Sequence, residues 1–229
     1  MPSSFSRKSK ILAKFNNYRY GTSFISSSNR RLIKMLELSG KNESVLDLGC
    51  GTGVFTKMLQ QRHKIVIGAD ISKTAIKEGE KMGIKMVLVD LNERLPFPKN
   101  FFDTVTAGEI IEHIFNTSNF LKEISRVLKK GGKLILTTPN VASLARRIML
   151  FFGISPFLET EINSKTAGHI RYFTKDSLFE LLKKNGFKPN YFASDAVNFD
   201  NKGKHKSTKL ADIFPTLGSS LIVSSTNTV

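Results

Sequence analysis

The segment Ser44-Val45-Leu46-Asp47-Leu48-Gly49-Cys50-Gly51-Thr52-Gly53 constrains this chain more than any other. A short apolar run reads as a buried β-strand. It ends in a glycine-dense turn, and Val54-Phe55-Thr56-Lys57-Met58-Leu59 then opens a helix. Glycine takes φ > 0 without strain and lets a ligand approach the backbone closely. A strand, glycine turn and helix at the carboxyl edge of a sheet is where open α/β folds bind nucleotides. The spacing is G-x-G-x-G, not the dinucleotide G-x-G-x-x-G, and no G-x-x-x-x-G-K-[ST] phosphate loop is present. Such a turn suits an adenosine ligand without phosphates.

The rest of the chain repeats the same unit. Strands are expected at 44–48, 64–69, 84–89, 103–107 and 133–138, alternating with helices at 54–61, 73–82 and 110–129. This alternation predicts βαβ units and a parallel sheet. Upstream lies a basic N-terminal helical extension, residues 1–40, with a short helix around 8–19 and an amphipathic helix over 29–39, capped by Asn29 and stopped near Gly40. After Pro139 the pattern changes. An amphipathic helix carrying Leu144, Ile148, Leu150 and Phe151 beside Arg146 and Arg147 leads into an aperiodic Pro/Gly stretch. This reads as a lid inserted over about 141–168. A helix at 175–185, a strand at 187–193, a Lys-rich loop at 202–209 and a strand at 220–224 complete the pattern.

At 229 residues the chain suffices for one sizeable α/β domain. Its 35 basic and 19 acidic residues give a formal charge of +16. That balance favours anionic partners or a lysine-rich solvated surface. The single cysteine, Cys50, excludes an intrachain disulfide and agrees with a reducing, cytoplasmic setting. No apolar run approaches the ~20 residues of a transmembrane helix, and no apolar secretory segment opens the chain.

Three carboxylates are candidate ligand contacts. Asp70, followed by Ile71 and Ser72, ends the second strand about 20 positions beyond the glycine turn, where ribose hydroxyls are bound; the alternative is a helix N-cap. Asp90, followed by Leu91, ends the third strand, where it can accept from an exocyclic amine or cap its own loop. Asp47 lies inside an apolar run, and a buried carboxylate is costly without partners. A ligand ammonium or the amides of the glycine loop would supply them.

Taken in order, Val45–Gly53, Asp70, Asp90-Leu91, Phe102-Asp103-Thr104-Val105, and Phe120–Gly132 with Thr137-Thr138-Pro139-Asn140 resemble the motif set of class I SAM-dependent methyltransferases over about residues 41–225. The resemblance implies a Rossmann-like, seven-stranded, mostly parallel sheet with helices on both faces, its last strand antiparallel. It implies an S-adenosylmethionine site formed by Asp47, Gly49, Cys50, Gly51, Thr52, Gly53, Asp70, Ile71, Ser72, Asp90, Leu91, Gly108 and Glu109.

The fourth strand ends in Ala107-Gly108-Glu109-Ile110-Ile111-Glu112-His113. The N/D/S-Pro-Pro-aromatic segment of nucleic-acid amino-methyltransferases is absent. Glu-x-x-Glu-His instead resembles ubiquinone-type O-methyltransferases and small-RNA 2′-O-methyltransferases. In those families these groups and a later histidine, matched here by His169, can hold a divalent cation. On a helix, Glu109, Glu112 and His113 would share one face, and with His169 they would suit Mg²⁺ or another divalent cation. The alternative is a metal-free pocket in which His113 acts as general base.

The reaction so implied is methyl transfer to a small-molecule acceptor at a hydroxyl oxygen, on a lipid-like, quinone-like or sugar molecule. His113 and Glu112 are the catalytic candidates. The competing expectations are an RNA 2′-O-methyltransferase with a divalent metal, since nucleic acid suits the charge, and a SAM-binding module without catalysis. Peripheral membrane contact through the lid is a further expectation.

Overall fold

The computed structural model describes residues 30–41, 43–156, 168–200 and 203–229. The expected helix at 8–19, the Asn29 cap and the second half of the lid fall outside them.

The described residues open with helix α1 (Arg30–Leu38), followed by β1 (Ser44–Leu48), α2 (Val54–Gln60), β2 (Ile65–Asp70), α3 (Lys73–Lys81), β3 (Lys85–Leu88) and β4 (Phe102–Gly108). Next come a 3₁₀ turn (Ile111–His113), α4 (Thr117–Val127), β5 (Leu128–Pro139), α5 (Leu144–Phe151) and α6 (Lys175–Lys184). The chain continues through β6 (Phe187–Ala193), β7 (Val197–Asn198), β8 (Lys206–Ser207), α7 (Thr208–Ile213), a second 3₁₀ turn (Pro215–Leu217) and β9 (Ser220–Asn227). The main sheet has seven strands in the order β3-β2-β1-β4-β5-β9-β6, and β7 and β8 form a separate ribbon. β1, β2, β3, β4 and β5 pair in parallel; β9 runs antiparallel to both of its neighbours. This is the Rossmann-like arrangement that the motif order implies.

Period-two alternation divides the interior into two cores. Leu46 and Leu48 of β1, Ile67 and Ala69 of β2, and Leu134 and Leu136 of β5 face one side, where Phe120, Leu121 and Ile124 of α4 and Leu178 and Leu182 of α6 cover them. Val45, Val66 and Ile135, the intervening residues, face the other side, against Phe55 and Leu59 of α2 and Leu32, Met35 and Leu36 of α1. A central strand buried on both faces needs an unbroken apolar run, and only Asp47 interrupts β1.

The helices begin at recognisable caps. Ser72 Oγ accepts from Ala75 N at α3, Asn116 accepts from Asn119 N at α4, and Thr174 forms a capping box with Ser177 at α6. The Asn116 cap corrects one expectation. Residues 110–129 are not one helix: the chain leaves β4, makes a 3₁₀ turn and enters α4 only at Thr117, and strand β5 begins at Leu128 rather than 133. The expected amphipathic helix is present as α5. Ala145 is its only buried residue, while Leu150, Phe151 and Phe152 are 55%, 84% and 69% exposed. Phe173 is buried in the main core, whereas the adjacent Tyr172 is 40% exposed.

Candidate active site

The parallel strands present their carboxyl ends at one edge of the sheet, and the candidate residues gather there. Between β1 and α2, Gly49, Gly51 and Gly53 all have positive φ, at 66°, 56° and 85°. Gly49 N and Cys50 N donate to Ala69 O at 2.8 and 3.2 Å, tying the loop to β2. A Cβ on Gly49 would lie 2.0 Å from Ile110 Cδ1, and one on Gly53 would lie 2.4 Å from Ile84 Cδ1. Both positions therefore favour glycine by conformation, and at Gly49 the Ile110 side chain also fills the space a Cβ would take. Thr52 is half-buried on the same loop. Cys50 approaches Gly51 O and Met86 Sδ, and burial pushes its thiol well up, so it is a packing residue and not a nucleophile.

Asp70 Oδ2 accepts from Gly51 N at 2.9 Å and Oδ1 from Ser72 N at 2.8 Å. The N-cap of α3 is Ser72, so Asp70 is not the helix cap. Its carboxylate instead joins the glycine loop to the start of α3, with Ile71 half-buried between. Burial raises its pKa, against the pull of the Ser72 and Gly51 amides. Asp90 Oδ1 accepts from Asn92 N and Nδ2 at 3.0 and 3.1 Å, whereas Oδ2 is buried without a hydrogen-bond partner. Leu91 beside it is buried in the main core.

Of the two kinds of partner expected for Asp47, a ligand ammonium or the glycine-loop amides, the amides do not bond it. Its two oxygens accept from Thr56 Oγ1 and Thr106 Oγ1, both at 2.7 Å. Burial pushes its carboxyl up to about 6, the two hydroxyls hold it back, and the neighbouring Asp70 adds to the rise.

The Glu109–His113 segment departs most from the sequence reading. Glu109 lies at the end of β4 in a left-handed conformation, φ 56°, outside any helix. It therefore shares no helical face with Glu112 and His113. Its Oε1 is 2.7 Å from Arg31 Nη1 of α1 and accepts from Thr137 Oγ1 at 3.0 Å. Gly108 beside it is half-buried, with room for a Cβ only 3.2 Å from Met35 Cε. Glu112, on the 3₁₀ turn, is 1% exposed; Oε2 accepts from Thr138 Oγ1 at 2.9 Å, and Oε1 has no hydrogen-bond partner. Burial, reinforced by the Glu109 carboxylate, pushes Glu112 up to about 8.

Two long-range contacts bring His169 in. Gly168 O lies 3.0 Å from His113 Nδ1, and Ile170 N donates to Glu112 O. The His113 and His169 rings are then 5.0 Å apart, and His169 Nε2 is 3.9 Å from Glu112 Oε1. Glu112, His113 and His169 each offer a donor atom within 4.8 Å of the others, and Glu109 is not in this group. Sequence reasoning missed the partners: Arg31, Thr56 and Thr106, with Thr137 and Thr138 quoted only as a motif. The position of Thr137 and Thr138 at the carboxyl end of a central strand was their available signal.

A family model for a methyltransferase domain matches residues 46–136. The chain is 30% identical over 191 residues to the ubiquinone/menaquinone biosynthesis C-methyltransferase UbiE of Pectobacterium atrosepticum, with 72% of each protein covered. It is 33% identical over 143 residues to an uncharacterized protein of Methanocaldococcus jannaschii, covering 62% of this chain and 63% of that one. Of the first curated relatives it thus spans about three fifths of the length, 63% and 59%. A SAM-dependent methyltransferase from Thermotoga maritima superposes with a TM-score of 0.64 at 19% identity, over 96% of this chain and 95% of that one, a likeness of fold. Among the described residues, no helix is long and apolar enough to cross a membrane.

Proposed function

The chain belongs to the class I SAM-dependent methyltransferases, and from that premise we propose that it methylates a small-molecule acceptor at a hydroxyl oxygen. The observation that carries this reading is the cluster of Glu112, His113 and His169 at the sheet edge that also bears the glycine loop.

The residues present fit S-adenosylmethionine. Asp90 Oδ2 is a buried acceptor awaiting a donor such as the adenine amine. Asp70 is pre-aligned by two backbone amides and keeps lone pairs for ribose hydroxyls. The loop of Gly49, Cys50, Gly51, Thr52 and Gly53 would accommodate the amino-acid portion. When bound, the cofactor supplies an electrophilic methyl group on a sulfonium.

The protein's own work is alignment and proton removal. His113 Nδ1–H donates to Gly168 O in the tautomer that this contact selects, which leaves Nε2 with its lone pair. His113 is the general base of this proposal. Glu112, protonated near neutrality, accepts from Thr138 and turns its free oxygen toward His169. The same three donors suit a divalent cation, with the Gly168 carbonyl orienting His113 in the manner of an outer-shell partner. Such an ion would supply Lewis acidity toward an acceptor oxygen. The exposed Phe151 at the end of α5 and Phe152 just after it support an apolar, lipid-like acceptor and contact with a membrane surface.

A second reading, methylation at a ring carbon, is favoured by the relative from Pectobacterium, which is named a C-methyltransferase. Screening hydroxylated aromatic, lipid and sugar acceptors by S-adenosylhomocysteine release, then identifying the product by NMR, separates the two: a methoxy signal supports the proposal and a ring methyl overturns it. His113→Ala should bind S-adenosylhomocysteine as wild type does and lose about 10²–10⁴-fold in turnover. Turnover near wild type would remove the base.

A further inference from the structure

At the amino ends of β4 and β6, on the edge opposite the glycine loop, lies an open cavity of about 700 Å³. This lies within the usual size range of ligand pockets. Lys99, Lys122, Arg126, Lys183 and Lys184 line it, and no Asp or Glu does among the described residues. Two of the five cations are engaged. Arg126 lies 2.7 Å from Glu123 and donates to the carbonyls of Leu95 and Phe97; Lys184 pairs with Glu180 at 2.9 Å. Lys99, Lys122 and Lys183 have no ion-pair partner among the described residues.

Helix dipoles account for part of this basicity, because cations are favoured in the last turn of a helix. Lys183 is so placed in α6, but Lys122 sits in the middle of α4 and Lys99 in the loop before β4. Their convergence on one concavity has no such local cause. No aromatic side chain lines the cavity among the described residues, so a base would find no stacking platform there. The ammonium groups act as point charges suited to phosphate.

We propose that this cavity is a binding site for a phosphate-bearing ligand, recognised through its phosphates and separate from the methyl-transfer site. β4, seven residues long, sets the two sites about 20 Å apart, so occupancy of one leaves the other open.

Titration calorimetry of the full chain tests this with two probes, inorganic tripolyphosphate and a 12-nucleotide oligouridylate. Both are titrated into wild type, a Lys99→Gln/Lys122→Gln/Lys183→Gln variant, and a control variant with the same charge change, Lys64→Gln/Lys77→Gln/Lys85→Gln. Binding of either probe that falls about tenfold or more in the first variant and less than about threefold in the control supports the site, with a steep loss on adding salt. Tighter binding of tripolyphosphate identifies a free polyphosphate; tighter binding of the oligonucleotide identifies a nucleic-acid backbone. Absence of binding for both probes, or equal losses in both variants, overturns the proposal. S-adenosylhomocysteine affinity, unchanged in both variants, certifies that they are folded.

Discussion

Replacing Asp47 by Asn makes a quantitative test of how the centre of this sheet is held. Asp47 is 3% exposed, no cation pairs with it among the described residues, and two threonine hydroxyls are its hydrogen-bond donors. Burial pushes its carboxyl from 3.8 to about 6. A raised acid favours folding fully only below its unfolded pKa; that stability is lost as pH rises through the folded value. A shift of about two units corresponds to about 3 kcal/mol, lost progressively from about pH 4 to above pH 6. Asparagine keeps the shape, and either hydroxyl can rotate to accept from its amide, so it removes only the charge. Wild type should therefore lose about 3 kcal/mol relative to Asp47→Asn between about pH 3 and 7.5, about half of it above pH 5. The chain has no tryptophan, so urea unfolding followed by far-ultraviolet circular dichroism is the assay. Taking the difference between the two proteins at each pH cancels the titrating groups that do not interact with Asp47, leaving the small reciprocal effect on Asp70. A difference that stays flat across this range, or a variant that weakens as pH rises, would refute the reasoning.

The other predictions concern the ligand edge and the opposite one. Asp70→Ala frees the amides of Gly51 and Ser72 and should lower S-adenosylhomocysteine affinity by about 100-fold or more in calorimetry; affinity within threefold of wild type would remove Asp70 from the site. If Glu112, His113 and His169 hold a cation, His169→Ala should lower Mn²⁺ affinity at least about tenfold by electron paramagnetic resonance, and equal titrations would end the metal reading. Burial opposes ionisation of Asp103, but hydrogen bonds from Lys129 and Ser44 outweigh it and bring its pKa down to about 2. Its stabilisation is present above about pH 4 and lost as pH falls toward 2. Because the pair is one-third to one-half exposed, Lys129→Met should cost only about 1 kcal/mol at neutral pH and almost nothing near pH 2.

The sheet and the ligand loop were largely legible in the sequence because they depend on local rules. Alternation in β1, β2 and β5 sorts residues between two cores, and the three glycines of the first turn announce positive φ. The region after β4 was misread because its helical spacing is accidental. Glu109 takes φ 56°, and the true start of α4 is marked by Asn116. The lid helix shows the limit of amphipathic pattern: α5 has an apolar face, yet Leu150, Phe151 and Phe152 lie exposed. The approach of His169 to Glu112 depends on contacts across more than 50 residues, and Arg31 reaches Glu109 from a helix far upstream. No local spacing encodes either.

The antiparallel strand carries a consequence for the order of events during synthesis. β9 lies between β5 and β6, and both bond to it rather than to each other. While residues 220–227 are still unmade, the nascent chain therefore exposes two open strand edges, one on a nearly finished parallel sheet and one on β6. Open edges invite wrong partners, and closing them requires a contact between segments far apart in the chain, which is slow. Consolidation of β6 and of α6 packed beside it thus waits on a segment made after both of them, and a chain stalled before that point is the form most exposed to aggregation and proteolysis.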